Sequence, residues 1–192
     1  MKDWTGNSQF VISCNHRRVD AEANDYYATD PRAVEMLLEQ ETFGHAIWEP
    51  ACGEGHISEV LKNHGHAVYS TDLVDRGYGQ GTHDFLQHDI PTKWQGDIIT
   101  NPPYKYAREF VEQALNAVES GSKVAMFVKL TFLEGNGRRE LFRQNPPHTV
   151  YVSSARLECG KNGVFTGQSA VAYCWIVWEK GYPGPTHLQW IN

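Results

Sequence analysis

Apolar positions along this chain switch repeatedly between a helical and an extended rhythm. Val34, Leu37 and Leu38 recur at helical spacing. Before them, Thr29-Asp30-Pro31 reads as a helix start, because Asp30 can cap free N–H groups and Pro31 suits the first helical position. From residue 46 onward, short apolar runs alternate with amphipathic stretches. Ala46-Ile47-Trp48 predicts a strand, and Ile57, Val60 and Leu61 predict a helix closed by Gly65. Residues 67–71 predict a second strand ending at Asp72, and a shorter third is expected near 82–85. Asp97-Ile98-Ile99-Thr100 predicts the next, ending at Asn101. Ala107, Phe110, Val111, Ala114, Leu115 and Val118 share one face of a helix. The run 124–130 is nearly all apolar, as in a strand buried on both faces. Residues 138–144 predict a helix, 149–153 a strand, and 170–178 a final strand in the sheet interior.

Alternation of this kind predicts an α/β fold with a doubly wound, mostly parallel sheet and helices on both faces. Ligands then collect at the carboxyl ends of the early strands, where the unusual loops lie. A chain of 192 residues suits one domain, taken as 25–192 after an irregular, polar segment 1–24. No apolar run is long enough to span a membrane, and the start lacks the layout of a secretory signal, so the cytoplasm is the expected compartment. Cys14, Cys52, Cys159 and Cys174 form no C-x-x-C pair, which predicts reduced thiols. No metal site is expected: Cys14 and His16 lack a second ligand pair, and the nine histidines are scattered.

Net charge is −6, against a surface that grips nucleic acid all over. Its distribution is uneven. Residues 1–104 hold 7 Lys+Arg and 16 Asp+Glu, whereas 105–192 hold 10 and 7. In the second half Lys129, Arg138, Arg139, Arg143, Arg156 and Lys161 could meet phosphates, or could form an ordinary solvated face.

Two loops carry the chemistry. In Glu49-Pro50-Ala51-Cys52-Gly53-Glu54-Gly55, the glycines permit a tight turn and close ligand approach, and Asp72 is placed to accept from ribose hydroxyls. A dinucleotide site would want a third glycine where Ser58 stands, and Glu49 and Glu54 would repel a pyrophosphate. They would attract an ammonium, and S-adenosylmethionine has one, with a sulfonium and no phosphate.

The second loop is Asn101-Pro102-Pro103-Tyr104. An aryl amine is a weak nucleophile because its lone pair is delocalised into the ring. Acceptors that draw its N–H bonds out of plane restore that lone pair. The Asn101 side-chain oxygen and the Pro102 carbonyl are the candidates, on a turn that the prolines stiffen. Tyr104 offers a ring on which an extracted base could stack.

On these motifs the chain resembles the amino-methyltransferase branch of class I S-adenosylmethionine-dependent methyltransferases, in particular prophage-type DNA adenine methyltransferases. The resemblance spans about residues 25–178. It implies a seven-stranded Rossmann-like sheet, S-adenosylmethionine as cofactor and nucleic acid, DNA foremost, as partner. It further implies cofactor contacts at Tyr27, Thr29, Glu49, Pro50, Ala51, Gly53, Gly55, Asp72, Leu73, Asp84, Phe85 and Asn101, with Asn101, Pro102, Pro103 and Tyr104 catalytic. Asparagine at 101 favours adenine N6 over cytosine N4. Lys129, Arg138, Arg139 and Phe165 are expected on the substrate side, Phe165 within Asn162-Gly163-Val164-Phe165, either a loop closing over the base or a plain turn. No counterpart of the family's large target-recognition domain is expected within 25–192, so a short site, RNA, or a protein partner supplying specificity are the expectations. The rival readings are an RNA N6-adenine methyltransferase, a protein glutamine methyltransferase and a non-catalytic nucleic-acid-binding module.

Overall fold

The computed structural model describes residues 26–87, 93–161, 163–167 and 169–192. The expectations placed on residues 1–24, Cys14 and His16, and on Asn162, lie outside the described residues. The chain enters through a short strand β1 (Tyr27–Thr29) and turns into α1 (Pro31–Leu38). Asp30 starts that helix as expected, its carboxylate accepting from the Arg32 amide at 3.0 Å.

The main sheet has seven strands in the order β3-β2-β4-β5-β8-β6-β9. These are β2 (Ala46–Glu49), β3 (Ala67–Ser70), β4 (Asp97–Thr100), β5 (Lys123–Lys129), β6 (Thr149–Ser153), β8 (Tyr173–Glu179) and β9 (His187–Ile191). Pairings among β3, β2, β4 and β5 are parallel, β8 runs antiparallel to both its neighbours, and β9 lies parallel to β6. A separate ladder pairs β1 antiparallel with β7 (Cys159–Lys161), joining Thr29 to Cys159.

The helices divide between the two faces. The α1 residues Val34 and Leu37 and those of α2 (His56–Asn63), Ile57 and Leu61, pack on Ile47, Ile99, Phe127 and Trp175. On the other face α3 (Ala107–Ala117) and α4 (Arg139–Gln144) cover Trp48, Ile98, Met126, Ile176 and Trp178. Both faces of β5 and β8 are therefore buried, which accounts for their unbroken apolar runs. Among the described residues no helix is long and apolar enough to cross a membrane.

Two expectations need correction. Residues 82–85 form no strand; Thr82 makes a single bridge to Asp72. The left-handed glycines 77, 79 and 81 turn the chain there, and Phe85 drops inward, edge-on to Trp48 at 5.1 Å. The run 170–178 is not the final strand: it pairs from Tyr173, and β9 follows after Pro183-Gly184-Pro185. The seventh strand thus comes from the opposite edge of the sheet.

Candidate active site

Parallel strands β2 and β4 are neighbours, so the loops that leave their carboxyl ends emerge on one rim. The glycine loop after β2 turns through two left-handed residues, Gly53 at φ +54° and Gly55 at φ +86°. Space matters as much as conformation. A methyl group on Gly53 would lie 2.6 Å from the Tyr26 ring, and one on Gly55 would overlap the Tyr78 ring.

Asp72, just beyond β3, holds this loop from the side. Its carboxylate accepts from the Gly53 amide at 2.8 Å and the Val74 amide at 3.0 Å. A carboxylate has about four acceptor positions, so room remains for hydroxyl donors. Leu73 beside it is 60% exposed. Pro50 is buried and Ala51 half-buried at the base of the turn.

Glu49 corrects the expectation of a bare negative charge. It is 1% exposed and accepts a hydrogen bond from Ser58, whose hydroxyl also meets that of Ser70 at 2.6 Å. Burial pushes its carboxyl up to about 8 from an ordinary 4.5. Glu49 is thus a largely protonated prop beneath the loop. The exposed carboxylate is Glu54, which accepts from the Tyr26 hydroxyl at 2.9 Å.

On the second loop, Asn101 is gripped by its amide nitrogen. Nδ2 donates to the Tyr27 carbonyl at 2.9 Å and to the Thr29 hydroxyl at 3.0 Å, with the Cys159 sulfur farther off at 3.8 Å. Its Oδ1 is buried and accepts no hydrogen bond among the described residues. The two loops share a frame, because adjacent residues Tyr26 and Tyr27 touch Gly53 and Asn101 respectively.

Pro102 is buried and Pro103 exposed. Tyr104 is tucked inward rather than held out as a stacking platform. Its ring lies 5.5 Å from Tyr27 and 6.2 Å from Tyr173, and its hydroxyl donates to that of Tyr173 at 3.3 Å. Burial raises the Tyr104 phenol far above its ordinary range and raises the Cys159 thiol too, so both stay neutral.

The Lys129 ammonium sits 4.5 Å over the Tyr104 ring. A cavity of about 100 Å³ opens here, lined by Tyr104, Lys129, Phe132 and Arg138 among others.

Other expected site residues are placed differently. Arg138 is turned to the Phe132, Thr131 and Glu134 carbonyls, so it braces its own loop rather than a phosphate. Arg139 is exposed at the start of α4. Asp84 caps a turn at the Leu86 amide, 3.0 Å away, and Phe85 is in the core at 2% exposure, not free to pack beside a ligand. Phe165 stands 5.7 Å from His56 at the start of α2, and Gly163 lies against Glu54 and Tyr26. That segment therefore lies against the glycine loop.

Sequence reasoning passed over Tyr26, Tyr78, Ser58, Ser70, Cys159 and Tyr173. The tyrosine pair Tyr26-Tyr27, directly before Thr29-Asp30-Pro31, was the one signal available.

No protein-family model and no curated protein matches the chain. Solved structures do. A candidate class I S-adenosylmethionine-dependent methyltransferase from Listeria monocytogenes superposes with TM-score 0.56 at 14% identity, over 82% of this chain and 62% of that one. The chain has the class I methyltransferase fold.

A modification subunit of a candidate type I restriction enzyme from Vibrio vulnificus shares that class I fold at TM-score 0.59 and 15% identity, over 92% of this chain and 48% of that one. A candidate hemolysin from Lactococcus lactis does so at TM-score 0.61 and 12% identity, covering 83% and 91%. The chain thus spans about three-fifths of the Listeria protein and about half of the Vibrio subunit. Such differently described hosts of one class I fold leave the reaction to be argued from the site.

Proposed function

We propose that this chain transfers a methyl group from S-adenosylmethionine to an exocyclic amino nitrogen, with adenine N6 in DNA as the target. One observation carries the reading: the Asn101 Oδ1 atom, buried and without a partner among the described residues, while its amide nitrogen is fully engaged. A buried acceptor left unpaired costs about 1–3 kcal/mol, so its presence calls for a ligand that brings a donor. An amino group on a base is such a donor.

The residues fit the donor. Gly53 and Gly55 turn the loop through left-handed conformations with the Tyr26 and Tyr78 rings packed on them, and Asp72 has acceptor capacity left beside it. Gly53, Gly55, Asp72 and the exposed Leu73 would hold the cofactor, which supplies a methyl group on an electron-poor sulfonium. Asn101 Oδ1 and the Pro102 carbonyl draw the two amino hydrogens out of the base plane. They also stabilise the positive charge that develops on nitrogen, the inverse of an oxyanion hole. A neutral amide cannot take the proton outright, and the phenol and thiol nearby remain protonated, so the proton leaves to water.

Lys129, over the Tyr104 ring, and the exposed Arg139 would meet backbone phosphates. The fold shared with the Vibrio protein, a modification subunit of a candidate type I restriction enzyme, supports DNA as substrate and a protein partner as the source of sequence specificity. Residues 25–192 then act as one methyltransferase domain.

The test supplies labelled S-adenosylmethionine with DNA, RNA and protein in parallel, followed by nucleoside mass spectrometry. N6-methyladenine from DNA is the expected product. Label in RNA alone transfers the same chemistry to a different polymer, and label confined to protein overturns the assignment.

A further inference from the structure

We infer that Thr29 is a positioning residue that anchors the Asn101 amide in the orientation the Tyr27 carbonyl sets, acting through the β1–β7 ladder; the inference rests on the reading above and goes one step deeper into that site. An asparagine side chain can present oxygen or NH2 in nearly the same volume, and the two orientations are chemically opposite. Oxygen accepts from an amino group, whereas NH2 would repel it. Something must choose between them.

Here the direction is chosen by the Tyr27 carbonyl and secured by the Thr29 hydroxyl, which together take both N–H bonds of Asn101, at 2.9 and 3.0 Å. Rotating the amide by half a turn would set Oδ1 against a carbonyl that has no hydrogen to give. A hydroxyl can donate or accept, so Thr29 does not choose the direction. It anchors the amide in the one the carbonyl sets, and at 2% exposure it has little water to compete with it.

Thr29 is held in turn by pairing across to Cys159, whose sulfur lies near the same amide. The site is therefore assembled from three remote pieces of chain, with Asn101 supplying the acceptor and β1 fixing its direction.

Thr29→Val removes the hydroxyl at nearly constant shape, and Thr29→Ser keeps it. Two measurements are made on each protein. The first is hydrogen exchange of the Asn101 side-chain amide by NMR, its resonance assigned with Asn101→Asp. The second is kcat and KM for methyl transfer to a single-stranded adenine-rich oligodeoxynucleotide.

In the wild-type protein the amide protons exchange at least tenfold more slowly than those of an exposed asparagine. Thr29→Val speeds that exchange at least tenfold and lowers kcat at least tenfold. Thr29→Ser stays close to wild type in both. Freely exchanging Asn101 protons in the wild type overturn the inference, whether or not Thr29→Val folds. So does a Thr29→Val protein with unchanged kcat and exchange, or equal losses in both variants. Absence of methyl transfer by the wild type to any nucleic acid sinks the proposed function instead, while the exchange data still decide the clamp.

Discussion

The glycine loop and the asparagine loop share one rim yet handle their polar groups in opposite ways. Around Gly53 and Gly55 the partners close on one another: Asp72 takes the Gly53 amide, Glu54 takes Tyr26, and Glu49 takes Ser58. Around Asn101, among the described residues, the donors are satisfied and one acceptor is not. The first loop is shaped as a seat, whose chemistry is geometric. The second is shaped as a reagent, whose chemistry depends on a single atom. Substitutions in the first should therefore act on binding and stability, and substitutions in the second on the rate of reaction.

The sharpest break in that contrast comes from Asn101→Ala. Removing a preorganised dipole of this kind costs about 10²–10³-fold in turnover, and S-adenosylmethionine affinity, read by calorimetry, should stay within a few fold. If affinity collapsed together with rate, the two loops would not be functionally separate.

Gly55→Ala should do the reverse. The residue sits at φ +86° and a methyl there overlaps Tyr78, so left-handed strain of about 1–2 kcal/mol adds to a steric conflict. Cofactor affinity is expected to fall at least tenfold and the melting temperature by several degrees. A Gly55→Ala protein that binds the donor normally would show that the loop is not the seat.

The smallest effect belongs to Glu49. Its folded-state carboxyl, raised to about 8, holds a proton that the unfolded chain releases near 4.5. Unfolding between those values therefore liberates a proton, and stability declines as pH rises through that window. Glu49→Gln should flatten the decline by a few degrees in melting temperature between pH 5 and 8, leaving turnover near wild type. An identical pH profile in both proteins would place Glu49 in contact with water after all.

Much of this was legible in the sequence, for physical reasons that also mark its limits. Strands β4 and β6 appear with the boundaries expected of them, because short β-branched runs end at strong turn residues. The Asn101 loop and the glycine loop were readable from local chemistry. The ladder of β1 and β7 was not, since each strand is three residues long and its partner lies far away in sequence. Strand β9 carries exposed Leu188 and Trp190 beside exposed polar positions, so no buried face announced it. Phe85 misled in the other direction: its aromatic character fits a ligand platform and a core plug equally well, and Trp48 claimed it.

The three-residue ladder has a thermal corollary. A pairing that short can fray while the seven-stranded sheet stays whole, since local opening demands far less free energy than global melting. Fraying would release the Asn101 amide to swivel, and turnover would fade on warming well before circular dichroism registers any loss of structure. Cooling would restore it, with no refolding needed.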